Sequence, residues 1–274
     1  MSLLSKLPAV VGIWEPFHIN KGVVPNRWGA RPHPEALKEE DMAILEDVLA
    51  GRRVNAWTCS RTSLSEALRA SQVLIKYVRG NHLLPLMLDT WSFKHKPILL
   101  MRHPLDVATS QVKAFGVRSR ELDVAHLFPG HTKLLKLWPD IRQVKDPVER
   151  QLHVWCLVNA RLWETMSKDD RVIAVHYHDL ILDPEHHLKD VLRQWDWVPP
   201  GNHRPWSLDS FVSGLDLRAT SDTDFGGDFL ANQHDQLWKN LSALDREAKT
   251  RYQGVLDQHG FSMYSMDDVN PKRM

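Results

Sequence analysis

Cysteine and tyrosine are scarce in this 274-residue chain, which has two of the first and four of the second. Cys59 and Cys156 stand in no metal-binding or redox spacing, and a single possible pair excludes a small fold held together by disulfides. No charged helix start surrounds either thiol. We therefore expect both cysteines to be reduced and structural.

An excess of charge of one sign is also missing, because 35 basic residues face 34 acidic ones and the net charge is +1. This balance gives no overall field for nucleic acid or an anionic membrane, so any anion site must be local. No apolar run approaches the roughly 20 residues of a membrane helix. The start, MSLLSKLPAVVGIW, lacks the layout of a signal peptide. We expect a soluble, cytoplasmic protein.

The chain does contain short runs of Val, Ile and Leu separated by helical segments. The predicted strands are 9–14, 73–78, 97–101 and 171–177. The predicted helices include 34–50, 63–70, 104–115, 146–167, 183–197 and 242–259. Continuous apolar strands are typical of a parallel sheet that helices cover on both faces. With no repeat and no linker, the sequence predicts one α/β domain over residues 1–274.

The stretch PILLMRHPLDVATS places an arginine directly after the most apolar of these strands. Open parallel sheets bind ligands at the carboxyl ends of their strands, and the planar guanidinium of Arg102 matches a phosphate. Asp106 and Ser110 share one face of the following helix. Ser110 can donate to a phosphate oxygen, whereas we expect Asp106 to orient Arg102 or to cap amides. The alternative is structural: Arg102 pairs with Asp106, and Ser110 is a small packing residue.

Two segments of the sequence resemble sulfotransferases, which use 3′-phosphoadenosine 5′-phosphosulfate as donor. RHPLDVATS resembles the family's R-x-P-x-D-x-x-x-S signature, and the resemblance implies that Arg102 and Ser110 hold the donor's 3′-phosphate. VHYHDLILDPEHHL resembles the strand–loop–helix segment with Y-E-D-L and D-P-E, although His178 stands where Glu is usual. This implies that Tyr177 lines the adenine pocket. The alternative for Tyr177 is a buried tyrosine at a strand end.

A third segment, AVVGIWEPFHINKG, resembles the stretch that follows the phosphate loop in many bacterial sulfotransferases. The resemblance implies that Glu15 lies near the acceptor and acts as base, with His18 as its rival. Sulfuryl transfer needs a base that takes the proton of the acceptor hydroxyl, and either side chain suits that task. The alternatives are a solvated loop carboxylate for Glu15 and an ordinary loop histidine for His18.

Two further segments extend the resemblance, which runs from about residue 9 to residue 262. VLIKYVRGN resembles the family's central strand, and Lys76 and Arg79 are candidates to line the acceptor or sulfate pocket. Their alternative is a solvated pair at a strand end. RATSDTDF stands where family members return toward the adenine, which makes Thr220 and Ser221 further candidates for donor binding.

The family's phosphate loop, R-S-G-T-S or close to it, does not occur in the sequence, and neither does G-x-x-x-x-G-K-[ST]. In relatives such a loop, which follows the first strand, cradles the 5′-phosphosulfate with backbone amides. The resemblance therefore implies a P-loop-NTPase-like parallel sheet flanked by helices, with the first strand and the phosphate loop missing. A fragment, a start assigned too far downstream and a true loss of the loop all remain open.

The implied function is transfer of a sulfuryl group from this donor to a hydroxyl, or an amine, of a small molecule, carbohydrate or lipid. The alternative is a non-catalytic nucleotide-binding or interaction protein on the same scaffold. A phosphate-loop kinase is disfavoured, because the loop lysine and an acidic magnesium site are both missing. The sequence shows no metal-ligand cluster, and the implied reaction requires no metal. The acceptor and the oligomeric state stay open.

Overall fold

The computed structural model describes residues 4–115, 123–199, 207–215 and 233–272. The chain divides into two compact units. The first comprises residues 1–93, 123–135 and 196–215, and the second comprises residues 94–122, 136–195 and 216–274. The single domain stays a prediction. Within the described ranges, no helix is both long and apolar enough to cross a membrane.

The strands form two parallel pairs, one in each unit. They are β1 (Val10–Trp14), β2 (Gln72–Lys76), β3 (Ile98–Met101) and β4 (Ile173–His176). β1 pairs with β2 in the register that joins Trp14 to Lys76, and β3 pairs with β4 in the register that joins Met101 to His176. The prediction of a mixed α/β fold with parallel strands is confirmed.

Helices separate and follow these strands along the chain. They are α1 (Asp41–Leu49), α2 (Leu64–Arg69), α3 (Leu84–Thr90), α4 (Pro104–Phe115), α5 (Val124–Leu127), α6 (Thr132–Ile141), α7 (Pro147–Trp155), α8 (Arg161–Met166), α9 (Tyr177–Leu182), α10 (Pro184–Gln194), α11 (Leu208–Ser213), α12 (Gln233–Ser242) and α13 (Arg246–Gln258). The predicted helix 146–167 consists of α7 and α8, joined by one π-helical turn.

The helix predicted over 34–50 begins later than expected. Pro34 starts a single 3₁₀ turn, and α1 begins only at Asp41. The carboxylate of Asp41 is fully buried, and it accepts hydrogen bonds from both Nη atoms of Arg27 at 2.5 Å. It also accepts from the backbone N–H of Lys38 at 2.9 Å. Because these bonds fix Asp41 at the turn, the regular helix starts there.

Each unit has its own apolar core. In the first unit Phe17 and Trp28 pack with α1 and α3. In the second unit Leu105 and Ala108 of α4 pack against Leu152 of α7 and residues of α13. Burial of such side chains contributes about 1.5–3 kcal/mol each. The core of the second unit therefore holds α4 in place behind the carboxyl end of β3.

Asp146 joins α7 to α13 in the second unit. One carboxylate oxygen caps α7 by accepting from the backbone N–H of Val148 at 2.8 Å. The other accepts from the hydroxyl of Tyr252 at 2.7 Å and from Nη2 of Arg251 at 2.8 Å. Burial alone would raise the pKa of Asp146, but these hydrogen bonds outweigh it and hold the pKa below its ordinary value of 3.8.

We expect Asp146→Ala to lower the free energy of unfolding by about 2–3 kcal/mol, because it removes a cap and charge-assisted bonds. Asp245→Ala is the matched control, since Asp245 caps α13 through Ala248, and it should cost about 1 kcal/mol. The folded-state pKa of Asp146 is depressed, so its contribution is present above the unfolded-state pKa and is lost as the pH falls through the folded-state pKa. Urea unfolding from pH 7 to pH 3 measures both effects. If both variants lost the same free energy of unfolding, Asp146 would act only as a helix cap and would not join α7 to α13.

The strands are less covered than the sequence predicts. We expected β3 to be buried on both faces, yet the Leu100 side chain is 50% exposed, and Val73 of β2 is 41% exposed. In the part of the chain that the structure describes, each strand pairs along one edge only. Apolar strands with an unpaired edge are templates for pairing with another chain.

We therefore expect this chain to self-associate as its concentration rises, as measured by light scattering. Leu100→Lys should reduce the association, because a charged strand residue opposes pairing between chains. Val198→Lys is the control, since Val198 is 70% exposed but lies outside the strands. A monomer that stays monodisperse at high concentration and unfolds in one two-state transition would contradict this expectation.

Candidate functional site

The pairing of β3 with β4 brings two predicted donor-binding residues together in the second unit. Arg102 and Tyr177 directly follow the register partners Met101 and His176, so both lie at the carboxyl ends of adjacent parallel strands. The guanidinium carbon of Arg102 lies 5.0 Å from the centroid of the Tyr177 ring. This separation is typical of a cation–π contact.

Asp106 orients Arg102. Nε of Arg102 lies 3.3 Å from Oδ2 of Asp106, which is buried. The other oxygen of Asp106 accepts from Nδ2 of Asn240 at 2.5 Å. Among the described residues, no further group accepts a hydrogen bond from Arg102, whose side chain is 36% exposed. The two Nη groups therefore remain available to an anion.

Ser110 lies on the same face of α4 as Asp106, about 6 Å further along the helix axis. It is exposed, so it is not the small packing residue of the structural alternative. The other half of that alternative, the pair between Arg102 and Asp106, is present. An ion pair of this kind is compatible with anion binding, because it uses only Nε.

Two histidines support this strand end. His103 is buried, and burial lowers its pKa. Its Nδ1 accepts from the backbone N–H of Leu105 at 3.2 Å, so Nε2 carries the proton and donates to the carbonyl of Ser265 at 3.0 Å. His178, where the family has Glu, is also buried, and its Nδ1 lies 3.4 Å from Oδ1 of Asp179.

Glu15 forms a second centre, in the first unit, at the carboxyl end of β1. Its side chain is 5% exposed, and Oε1 accepts from Nζ of Lys76. Oε2 accepts from Nη1 of Arg79 at 3.2 Å and from the backbone N–H of Val78 at 3.3 Å. Both oxygens of Glu15 thus already accept hydrogen bonds, and two of the three donors are on cationic side chains.

The backbone of Glu15 is strained, because its φ of 45° lies in the left-handed region that favours glycine. Its N–H donates to the carbonyl of Lys76 at 2.7 Å and holds it there. Trp14 provides a further support that the sequence did not reveal. Nζ of Lys76 lies 4.1 Å from the centroid of its ring, and the guanidinium of Arg61 lies 3.7 Å away.

His18 is close to Glu15 in the chain, and its backbone N–H donates to the Glu15 carbonyl at 3.0 Å. Its Nδ1 accepts from the backbone N–H groups of Asn20 and Lys21, both at 3.2 Å. Since the lone pair on Nδ1 is used in this way, the neutral ring carries its proton on Nε2. Burial, together with the charge of Arg79, lowers the pKa of His18. In this arrangement Nε2 already carries a proton, so it can donate a hydrogen bond but cannot act as a base.

Seven of the nine predicted site residues thus fall into two groups, one in each unit, and the other two lie outside the described residues. Arg102, Ser110 and Tyr177 belong to the second unit, whereas Glu15, His18, Lys76 and Arg79 belong to the first. Thr220 and Ser221 lie outside the described residues. Both cysteines are free thiols, and burial raises the pKa of Cys156 to about 12.

No protein-family model matches the chain, and comparisons with curated proteins and with solved structures gave no match either.

We expect Glu15→Gln to lower the free energy of unfolding by about 1–3 kcal/mol, less than the 3–5 kcal/mol for a fully buried pair. The expected loss is smaller than for a fully buried pair because the side chains of Lys76 and Arg79 are 30% and 21% exposed. A double-mutant cycle with Lys76→Met should give a coupling energy of about 1 kcal/mol or more. The exposed pair Arg52–Asp47 is the matched control, and its coupling should be much weaker because solvent screens it. Equal coupling in the two pairs would contradict a buried ion-pair centre.

Proposed function

We propose that this chain binds 3′-phosphoadenosine 5′-phosphosulfate and acts as a sulfotransferase. The observation that carries the proposal is the oriented guanidinium of Arg102, held by buried Asp106 at the carboxyl end of β3 and packed against Tyr177. Ligands of open parallel sheets bind at this end of the strands. The resemblance of RHPLDVATS to the sulfotransferase signature names the ligand.

In the proposed complex the two Nη groups of Arg102 donate to the 3′-phosphate in a bidentate arrangement. The hydroxyl of Ser110, which is exposed on α4, donates to another oxygen of the same phosphate. Tyr177 offers its aromatic ring to the adenine. Asp106 does not touch the anion, and its role is to position Arg102.

The proposed reaction is an in-line transfer. The acceptor oxygen forms a bond to sulfur while the bond between sulfur and the bridging oxygen of the phosphosulfate breaks. The acceptor's proton passes to a general base or to water, and 3′-phosphoadenosine 5′-phosphate is released with the electron pair of the broken bond. As in phosphoryl transfer, positioning and electrostatic stabilisation supply most of the catalysis. The resemblance makes Lys76 and Arg79 candidates for the acceptor or sulfate pocket, and in the first unit both are paired with Glu15.

A second candidate function, nucleotide binding without turnover, is favoured by one observation. Both oxygens of Glu15 already accept hydrogen bonds, and Nδ1 of His18 does so as well. Neither predicted base is thus ready to take a proton in this arrangement. Binding and transfer therefore have to be tested separately.

We also propose that the fold belongs to the P-loop-NTPase-like class. The support is the parallel pairing within each unit and the strand-then-helix order at β3–α4 and β4–α9. Parallel strands that are each followed by a helix are typical of doubly wound α/β folds.

Calorimetric titration of 3′-phosphoadenosine 5′-phosphate tests the binding proposal. Each charge-assisted bond contributes about 1.5–3 kcal/mol, so Arg102→Ala should raise Kd by about tenfold to a hundredfold or more. Arg102→Lys keeps the charge but loses the bidentate geometry, and it should also weaken binding. Arg171→Ala is the matched control, because Arg171 pairs with Asp169 on an exposed surface.

Adenosine 5′-monophosphate, which lacks the 3′-phosphate, should bind the wild type and Arg102→Ala equally weakly. A loss that is the same for both nucleotides would contradict a 3′-phosphate site at Arg102. If the nucleotide binds and no sulfuryl transfer to a panel of hydroxyl acceptors follows, the second candidate function replaces the first.

A further inference from the structure

Three histidines converge in the first unit. His33, His82 and His131 each offer one ring nitrogen, and these nitrogens all lie within 4.8 Å of one another. The ring centroid of His131 lies 4.3 Å from that of His82 and 4.7 Å from that of His33. The three residues come from three separate turns that are far apart in the sequence, so no ligand spacing in the sequence indicates them.

The chain is arranged to let these rings meet. Gly130 has a φ of 80°, and a Cβ atom there would lie 3.1 Å from Cβ of His33, closer than ordinary packing allows. Its lack of a side chain lets the turn at His33 approach His131. Nε2 of His131 lies 3.2 Å from the carbonyl oxygen of Arg31. Since only a ring N–H can pair with a carbonyl, Nε2 carries the proton and Nδ1 keeps its lone pair.

The hydrogen bond of His131 to the Arg31 carbonyl matches that of metal-binding histidines, in which one nitrogen binds the ion and the other donates to a carbonyl or carboxylate. An all-imidazole set without a carboxylate suits zinc, copper or nickel and not magnesium or calcium. Three histidines with a fourth position left to water are a known zinc arrangement. We propose that His33, His82 and His131 bind a zinc ion.

Coordination requires a small rearrangement. Zinc–nitrogen distances are about 2.0–2.1 Å, so nitrogens in a tetrahedral site are about 3.4 Å apart. Because the three nitrogens lie within 4.8 Å of one another, the rings must close by at most about 1.4 Å. Nδ1 of His33 accepts from the backbone N–H of Glu35 at 3.3 Å, and binding through that nitrogen replaces this long hydrogen bond. Glu35 is exposed, so water can take over its N–H.

The zinc ion ties together the segments that lead to the Glu15 centre. Arg31, whose carbonyl holds His131, also donates from Nη1 to the carbonyl of Val78. The backbone N–H of Val78 donates in turn to Oε2 of Glu15. The role of the ion is therefore to stiffen this part of the first unit, and this role does not depend on the proposed function.

The test is a calorimetric titration of zinc chloride into the full chain after dialysis against a chelator. The expected result is one zinc ion per chain and a rise in the thermal unfolding midpoint on binding. His82→Gln and His33→Gln should each weaken binding by about tenfold or more, since loss of even a supporting neighbour costs 10–100-fold. His186→Gln is the matched control, because its side chain is 57% exposed on α10, and it should bind zinc like the wild type.

Cobalt(II) provides a second readout, since a tetrahedral three-histidine site should give visible absorption bands that zinc then removes. If buried His131→Gln does not fold, circular dichroism reports that, and the decision rests on the two half-buried positions. The proposal is overturned if the folded wild type binds no zinc. It is equally overturned if His82→Gln and His33→Gln bind zinc as tightly as His186→Gln.

Discussion

The parallel pairing of β3 with β4 is the constraint on which the candidate donor site depends. Two residues that are distant in the sequence, Arg102 and Tyr177, follow register partners and therefore leave the pair at the same end. An antiparallel pairing would put them at opposite ends. Once both are placed there, burial of Asp106 in α4 fixes the direction of the guanidinium. The site thus follows from backbone pairing first and from side-chain chemistry second.

Parallel pairing also places the charged residues of the first unit, but there it produces a closed ion-pair cluster. The register that joins Trp14 to Lys76 places Glu15 beside the end of β2, where the carboxylate meets two cations. At one strand end a buried acid directs an arginine that is open to ligand. At the other, a buried acid is saturated by Lys76 and Arg79. Carboxylates of similar burial therefore serve to position cations in both units.

Helix bounds such as those of α4 could be predicted from the sequence, because the residues that define them are neighbours in the chain. Proline at the first turn and an acidic residue near the positive end define α4 over the same residues that the sequence indicates. The delayed start of α1 could not be predicted, since it depends on Arg27, which reaches Asp41 from another segment. The exposure of Leu100 was also missed, because an apolar run does not say which of its faces will be covered.

The candidate site residues divide in the same way, and their roles stay predictions. Motif spacing found Arg102, Asp106 and Ser110, which lie within one strand–helix turn. It found Glu15 as well, but not its ion pairs, because these depend on a tertiary contact. Asn240, which holds Asp106, and the three converging histidines come from separate segments and have no spacing signature. Roles that depend on which neighbours meet a side chain could be read only from the structure.

Phosphorus NMR can show whether Arg102 recognises the 3′-phosphate of an adenine nucleotide. The two phosphates of 3′-phosphoadenosine 5′-phosphate give separate resonances. We expect the 3′ resonance to shift and broaden when the wild-type chain is added, and Arg102→Lys to abolish most of this change. A response confined to the 5′ resonance, or one that Arg102→Lys leaves intact, would show that Arg102 does not recognise the 3′-phosphate.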